Sequence, residues 1–264
     1  MNTTVDFNAI IERIDILIEQ ENHAKNVTSI DELRSRYATR EELLLLQCRL
    51  INKNDSIAER LNRLPRLAAL RHVEWATAVL NMPNVAFVVI DTTGIADDAD
   101  IIRVLIADSK GATLFDRIVS PQRQINQPNT RYTGITQAEL ASAPTLADVW
   151  GDLQRVLTGK FVLAYNLDFV NEHLRENAKH YQLAPILFIG EDLQRKAGEY
   201  YRSSYTLKLS DACHRIGHTM PQLATATDRA DGQLILLRAM SCGITSTKPQ
   251  IDDPILGEID EHPF

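Results

Sequence analysis

An α/β fold with a mixed sheet, preceded by a helical segment, is what this sequence predicts. Three observations carry that reading. The apolar run Val85-Ala-Phe-Val-Val-Ile90 has the composition of a buried central strand. Residues 101–107 and 112–119 read as two further strands around Asp108-Ser-Lys-Gly111, which has hairpin-turn chemistry. Beyond them, helix-period segments alternate with a strand signal up to about residue 243.

Taken in order, residues 1–70 form a helical region. Phe7, Ile10, Ile11, Ile14, Leu17 and Ile18 follow the three- and four-residue spacing of one helix face. Ser29-Ile-Asp-Glu32 has capping-box spacing ahead of a second periodic run. Residues 41–51, with Leu43 to Leu46 together, read as a helix buried on more than one side, and Pro65 breaks the pattern carried by Ile57, Leu61 and Leu64. Residues 71–243 form the α/β domain. After the three strands, a helix over 145–157 is opened by Pro144-Thr145, a strand covers 161–165 and a helix follows over 167–181. Further helices are predicted over 191–202, 207–216 and 229–240. Residues 244–264 are dense in Pro and carboxylates and poor in apolar side chains, so a disordered acidic tail is expected.

Composition narrows the function. With 28 Lys and Arg against 35 Asp and Glu, the net charge of −7 argues against whole-surface binding to nucleic acid, which depends on phosphate neutralisation. A local basic groove remains compatible with it. Cys48, Cys213 and Cys242 form no CxxC pair and are read as buried thiols rather than as a disulfide or zinc framework. No apolar run is long enough to cross a bilayer, and the opening residues lack the basic flank and apolar core of a signal peptide, so a cytoplasmic protein is expected.

Four landmarks in series resemble the DEDDh 3′–5′ exonucleases, the family of polymerase proofreading subunits and ribonuclease T. Phe87-Val-Val-Ile-Asp-Thr-Thr-Gly94 is similar to that family's opening strand and its D-x-E-T-T-G motif. Thr133-Gly-Ile-Thr136 with Ala143-Pro-Thr145 resembles its H-G-I-T and A-P-T/S segments. Leu163-Ala-Tyr-Asn166 with Phe169 resembles its H/Y-N-x-x-F-D junction, and Asp228-Arg-Ala-Asp231 its closing H-x-x-x-x-D helix. The resemblance spans about residues 80–242, and residues 70–80 look like a lead-in helix of the family. It implies a ribonuclease H-like fold: a mixed five-stranded sheet flanked by helices.

The resemblance also implies hydrolysis of phosphodiesters with two Mg²⁺ or Mn²⁺ ions, four carboxylates and a histidine base. Here the pattern departs. Aligned without a gap from Gly94, Asp91 takes the second carboxylate position and Val89 the first; a two-residue deletion would instead put Asp91 first and remove the second. The ungapped alignment is preferred, because shortening a central strand shifts its register. Val170 stands at the third carboxylate position, Ala226 at the histidine, and Thr133 at the H-G-I-T histidine. Asp91 and Asp231 are the remaining candidate catalytic residues and metal ligands, enough for at most one weakly held cation. The expectation is therefore that no cofactor is bound, with Mg²⁺ or Mn²⁺ entering only through a residual site. Asp168 should point away, whereas Asp228 and His173 are candidates to stand in for missing groups.

Thr92, Thr93, Gly94 and Asn166 are candidate contacts to a nucleotide backbone, or equally residues that shape the turn and cap the helix. Arg60, Arg63, Arg66 and Arg71 form either a solvated face or a phosphate-contacting edge. The ending Glu258-Ile-Asp-Glu-His-Pro-Phe264 resembles the acidic tip of bacterial single-stranded-DNA-binding proteins, though a plain acidic tail also fits. The function expected is a degenerate, non-cleaving member that binds single-stranded nucleic acid or scaffolds a larger assembly. Its protein partners would dock on residues 1–70 and on the tail through Pro263 and Phe264. Two rivals stand beside it: an active 3′–5′ exonuclease with a displaced set of Asp91, Asp228 and Asp231, and a purely protein-binding role.

Overall fold

The apolar run at 85–90 becomes the centre of the sheet because both of its faces are covered. In the computed structural model, which describes residues 7–23, 29–50, 67–96, 98–123 and 133–244, it forms β1 (Val85–Thr92), buried along its whole length. Helices α1 (Phe7–His23), α2 (Ile30–Leu50) and α3 (Leu70–Leu80) precede it, and β2 (Ile101–Asp108) and β3 (Thr113–Ile118) follow. Then come α4 (Gln137–Ser142), α5 (Leu146–Leu157), β4 (Phe161–Ala164), α6 (Leu167–His180) and β5 (Ile189–Asp192). Helices α7 (Leu193–Tyr201), α8 (Leu209–Arg215) and α9 (Ala226–Ser241) close the described chain.

The sheet has five strands in the order β3-β2-β1-β4-β5. β1 runs antiparallel to β2, with Val89 opposite Leu105 and Asp91 opposite Arg103, and parallel to β4, with Phe87 opposite Leu163. This is the mixed, helix-flanked sheet expected from the sequence. Successive side chains of a strand point to opposite faces, so β1 feeds two cores. Ala86, Val88 and Ile90 pack with Leu153 and Leu157 of α5 and with Val170 and Leu174 of α6. Phe87 joins Val73 of α3, Ala197 of α7, Cys213 of α8 and Leu237 of α9. Leu33 of α2 belongs to this second core as well, which ties the leading helices to the sheet.

Several boundaries differ from the sequence reading. The fifth strand covers 189–192, so Glu191 and Asp192, expected in a helix, lie in β5, and α7 starts at Leu193. Asp192 stops the strand and caps the helix, its carboxylate accepting from the N–H groups of Gln194 and Arg195. Gly190 is required there, since a Cβ would run into the carbonyl oxygen of Val162 on β4. Helix α4 was not anticipated, although Thr136 and Glu139 form a complete capping box at its start. The two runs read separately after Ser29 are one continuous α2. Helix α9 begins three residues before the expected Arg229, at Ala226, because Thr225 and Asp228 form a further capping box. Among the described residues, no helix is long and apolar enough to cross a membrane. Arg60, Arg63, Arg66, Pro263 and Phe264 lie outside the described residues.

Candidate functional site

At the C-terminal end of β1, side chains from β1, α6 and α9 line a cleft of about 280 Å³. Tyr165, Asn166, Phe169 and Val170 come from the β4–α6 junction, and Arg229 and Gln233 from α9. The cleft exists because three elements converge there: β1 ends in a register shift between Asp91 and Thr92, α6 starts at Leu167 behind its cap Asn166, and α9 packs on the same strand.

The floor is largely apolar. Val89, placed by alternation on the α9 side of β1, packs with Leu105 and Ala107 of β2 and with Ala226 and Ala230 of α9. Val170 is buried in the opposite core with Ile90 and Leu174. Residues 89, 170 and 226, where the resemblance sets two carboxylates and a histidine, are thus packed hydrocarbon.

Asp91 is 3 % exposed and points to the same side as Val89. Its Oδ1 accepts a hydrogen bond from Nη2 of Arg229, and the two form an ion pair. The Arg229 Nε donates to the carbonyl oxygen of Thr225 at 3.4 Å, which orients the guanidinium. Oδ2 of Asp91 has no hydrogen-bond partner, and neither does the buried Oε1 of Gln233. On the neighbouring strand, Arg103 is held bidentately by Asp116 at 2.9 and 2.8 Å. Those hydrogen bonds raise the Arg103 pKa, with Asp91 a lesser contributor.

The other candidates separate. Asp231 is exposed on α9, one residue from the buried Ala230. Asp228 is held by Thr225, accepting from its N–H at 2.8 Å and its hydroxyl at 2.7 Å; these bonds depress its carboxyl pKa. Asp168 is exposed, as expected. His173 does not open to the cleft: it is buried, with Nδ1 2.9 Å from the Phe169 carbonyl and Nε2 3.2 Å from that of Ala96. Thr133 is buried and accepts from the N–H of Ile135.

Residues retained from the family pattern serve the local backbone. Thr92 donates from Oγ1 to the Gly94 carbonyl, and Oγ1 of Thr93 accepts from the N–H of Asp100 at 3.0 Å. Asn166 adopts a left-handed conformation, φ 72°, and its Oδ1 caps α6 by accepting from the N–H of Phe169 at 3.2 Å. Arg71 is exposed and donates to Nε2 of His72 at 3.1 Å. Cys213 is buried, which pushes its thiol pKa up to about 11, and Cys242 is half-buried.

Among the described residues, no three His, Cys, Asp or Glu side chains come together as a metal-holding group. A pair of divalent ions needs several carboxylates to offset their mutual repulsion; among the described residues the cleft lining contributes none, and the adjacent Asp91 is neutralised by Arg229. The residues present do not fit the two-metal centre that the family implies. Arg229 and Gln233 escaped the sequence reading; their spacing with Ala226 and Ala230 on one helix face was the signal that could have found them.

Fold and cleft together define an exonuclease-type α/β domain. The ribonuclease T exonuclease family model matches residues 88–222 of the 264, and the chain belongs to that family. An uncharacterized exonuclease of Escherichia phage 186 is 31 % identical over 97 residues, 37 % of this chain and 50 % of that protein. A DNA polymerase III subunit epsilon-like protein of Rhodobacter capsulatus is 29 % identical over 174 residues, 60 % of this chain and 24 % of that protein. The chain thus spans half or less of the length of these relatives. The nuclease domain of a DEDDh family member bound to rAMP superposes with a TM-score of 0.51 at 16 % identity, covering 63 % of this chain and 96 % of that domain. A 3′-exonuclease that recognises the 3′ end of a histone mRNA stem-loop gives 0.51 at 16 % identity, covering 61 % and 83 %. At such identities these likenesses establish the fold.

Proposed function

We propose that this chain is a non-cleaving member of the exonuclease family, acting as a single-stranded nucleic-acid-binding or scaffolding subunit of a larger assembly. The observation that carries this reading is the cleft floor. Val89, Val170 and Ala226 are packed into apolar clusters, and Asp91 is bound by Arg229 rather than left open. Losing the general base alone typically lowers a rate by about 10²–10⁴-fold, and here two metal-ligand positions change as well. The displaced set of Asp91, Asp228 and Asp231 finds no support, because Asp228 is engaged as a helix cap and Asp231 faces solvent.

Asn166 lines the cleft and Phe169 offers a ring for a base to stack on, while Thr92, Thr93 and Gly94 follow at the end of β1 as proposed backbone contacts. In this reading residues 71–243 are the binding domain, while residues 1–70 and the tail with Pro263 and Phe264 recruit protein partners in the cytoplasm. Fluorescence anisotropy with labelled single strands of DNA and RNA tests it. Binding that is undiminished by EDTA, with the strand recovered at full length, is the expected result. Shortening that needs Mn²⁺ would overturn it, and absence of binding to every strand would overturn its nucleic-acid-binding form.

A further inference from the structure

We infer that Arg229 is the resident cation of this cleft: its guanidinium takes up the charge of Asp91 and closes that carboxylate to divalent metal ions. Asp91 follows the cleft-lining Val88 to Ile90 on β1 and pairs with the cleft-lining Arg229, and its side chain is 1 % exposed. The neighbouring Val89 packs with Ala226 and Ala230, and among the described residues no three His, Cys, Asp or Glu side chains gather as a metal-holding group. A single carboxylate balances a monovalent cation, whereas a divalent ion would leave a positive charge in an apolar pocket. A guanidinium is also more weakly hydrated than an ammonium and is fixed in shape, which suits it to a buried pair. Arg229 is held for the task from its own helix, with Nε on the Thr225 carbonyl oxygen and Nη2 on Asp91. Oδ2 of Asp91 remains unpartnered, so removing the guanidinium would open both oxygens.

Mn²⁺ binding followed by electron paramagnetic resonance tests this on the full chain, comparing wild type, Asp91→Asn, Arg229→Gln and the double variant. The wild type and Asp91→Asn should match, with no site attributable to Asp91. Arg229→Gln should gain one saturable site, with a dissociation constant of about 0.1–1 mM, which the double variant loses. Unpairing a buried charge should lower the melting temperature of Arg229→Gln by about 5 °C or more. Mn²⁺ should restore part of that loss, and adding Asp91→Asn should restore part of it without metal. A wild-type Mn²⁺ site abolished by Asp91→Asn would overturn the assignment. So would an Arg229→Gln protein that binds no more Mn²⁺ than wild type. If Arg229→Gln is too unstable for the titration, the thermal cycle decides: coupling between Asp91 and Arg229 is expected, and additive losses would overturn the assignment. No nucleic acid enters these measurements. A chain that closes Asp91 with Arg229 yet binds no strand would overturn the nucleic-acid-binding form of the proposed function alone, which rests on the same cleft.

Discussion

Two buried aspartates, Asp91 and Asp100, sit on either side of one loop and meet different fates. Asp100 is 0 % exposed, and its Oδ2 accepts from the N–H groups of Gln122 and Arg123 at 3.1 and 2.9 Å, with the Arg123 side chain 3.4 Å from Oδ1. Asn177 of α6 completes the strap, accepting from the N–H of Ile101 and donating to the Ala99 carbonyl oxygen. Asp100 thus ties backbone to backbone across the fold. Among the described residues, the Asp91 side chain hydrogen-bonds one arginine, from α9, through Oδ1. Each carboxylate keeps one buried oxygen without a hydrogen bond, Oδ1 in Asp100 and Oδ2 in Asp91; the two differ in that Asp100 accepts from two backbone N–H groups, whereas Asp91 is neutralised by a single counter-ion. That contrast separates a carboxylate built into the backbone scaffold from one that faces a single side chain.

The largest expected effect breaks the scaffold side. Asp100→Ala removes the acceptor for two backbone N–H groups and unpairs Arg123, and should cost about 3–5 kcal/mol in denaturant-melt stability. A loss as small as that of a surface carboxylate would show that the two aspartates do not differ as described.

Val89→Asp probes the site side by putting a carboxylate back where the resemblance sets one. Surrounded by Leu105, Ala107, Ala226 and Ala230, it should cost about 2–4 kcal/mol at neutral pH and restore no cleavage by itself. A Val89→Asp protein that melts like the wild type would mean that this position is open to solvent rather than packed.

The smallest effect belongs to the helix that supplies Arg229. Thr225→Ala removes the capping box and should cost about 1 kcal/mol. Thr225 depresses the Asp228 pKa, so this contribution is present above the ordinary carboxylate range and fades as pH falls through the depressed value. The stability difference between wild type and Thr225→Ala, measured from pH 7 downwards, should therefore shrink in acid; a constant difference would separate the cap from Asp228.

Much of the fold was legible because its strands advertise themselves. Val85 to Ile90 could be little other than a central strand, and residues 70–80 were matched as a helix to the residue. β5 was hidden because four residues, Ile-Gly-Glu-Asp, carry neither an apolar run nor an alternating pattern, and they hold their place through the pairing with β4. The proposed loss of the metal site was legible by subtraction, in Val89, Val170 and Ala226 at the positions where the resemblance sets two carboxylates and a histidine. What filled the gap was not, since sequence order sets Arg229 138 residues from Asp91 and only the packing of α9 on β1 brings them together.

The account stands most directly on a nuclease assay: a 5′-labelled single strand with Mg²⁺ or Mn²⁺, wild type beside the Asp91→Asn/Asp231→Asn double variant, at high protein concentration. The strand should remain full length with both proteins. Stepwise 3′ shortening by the wild type that disappears in the variant would contradict the account and establish a working site built on these two carboxylates.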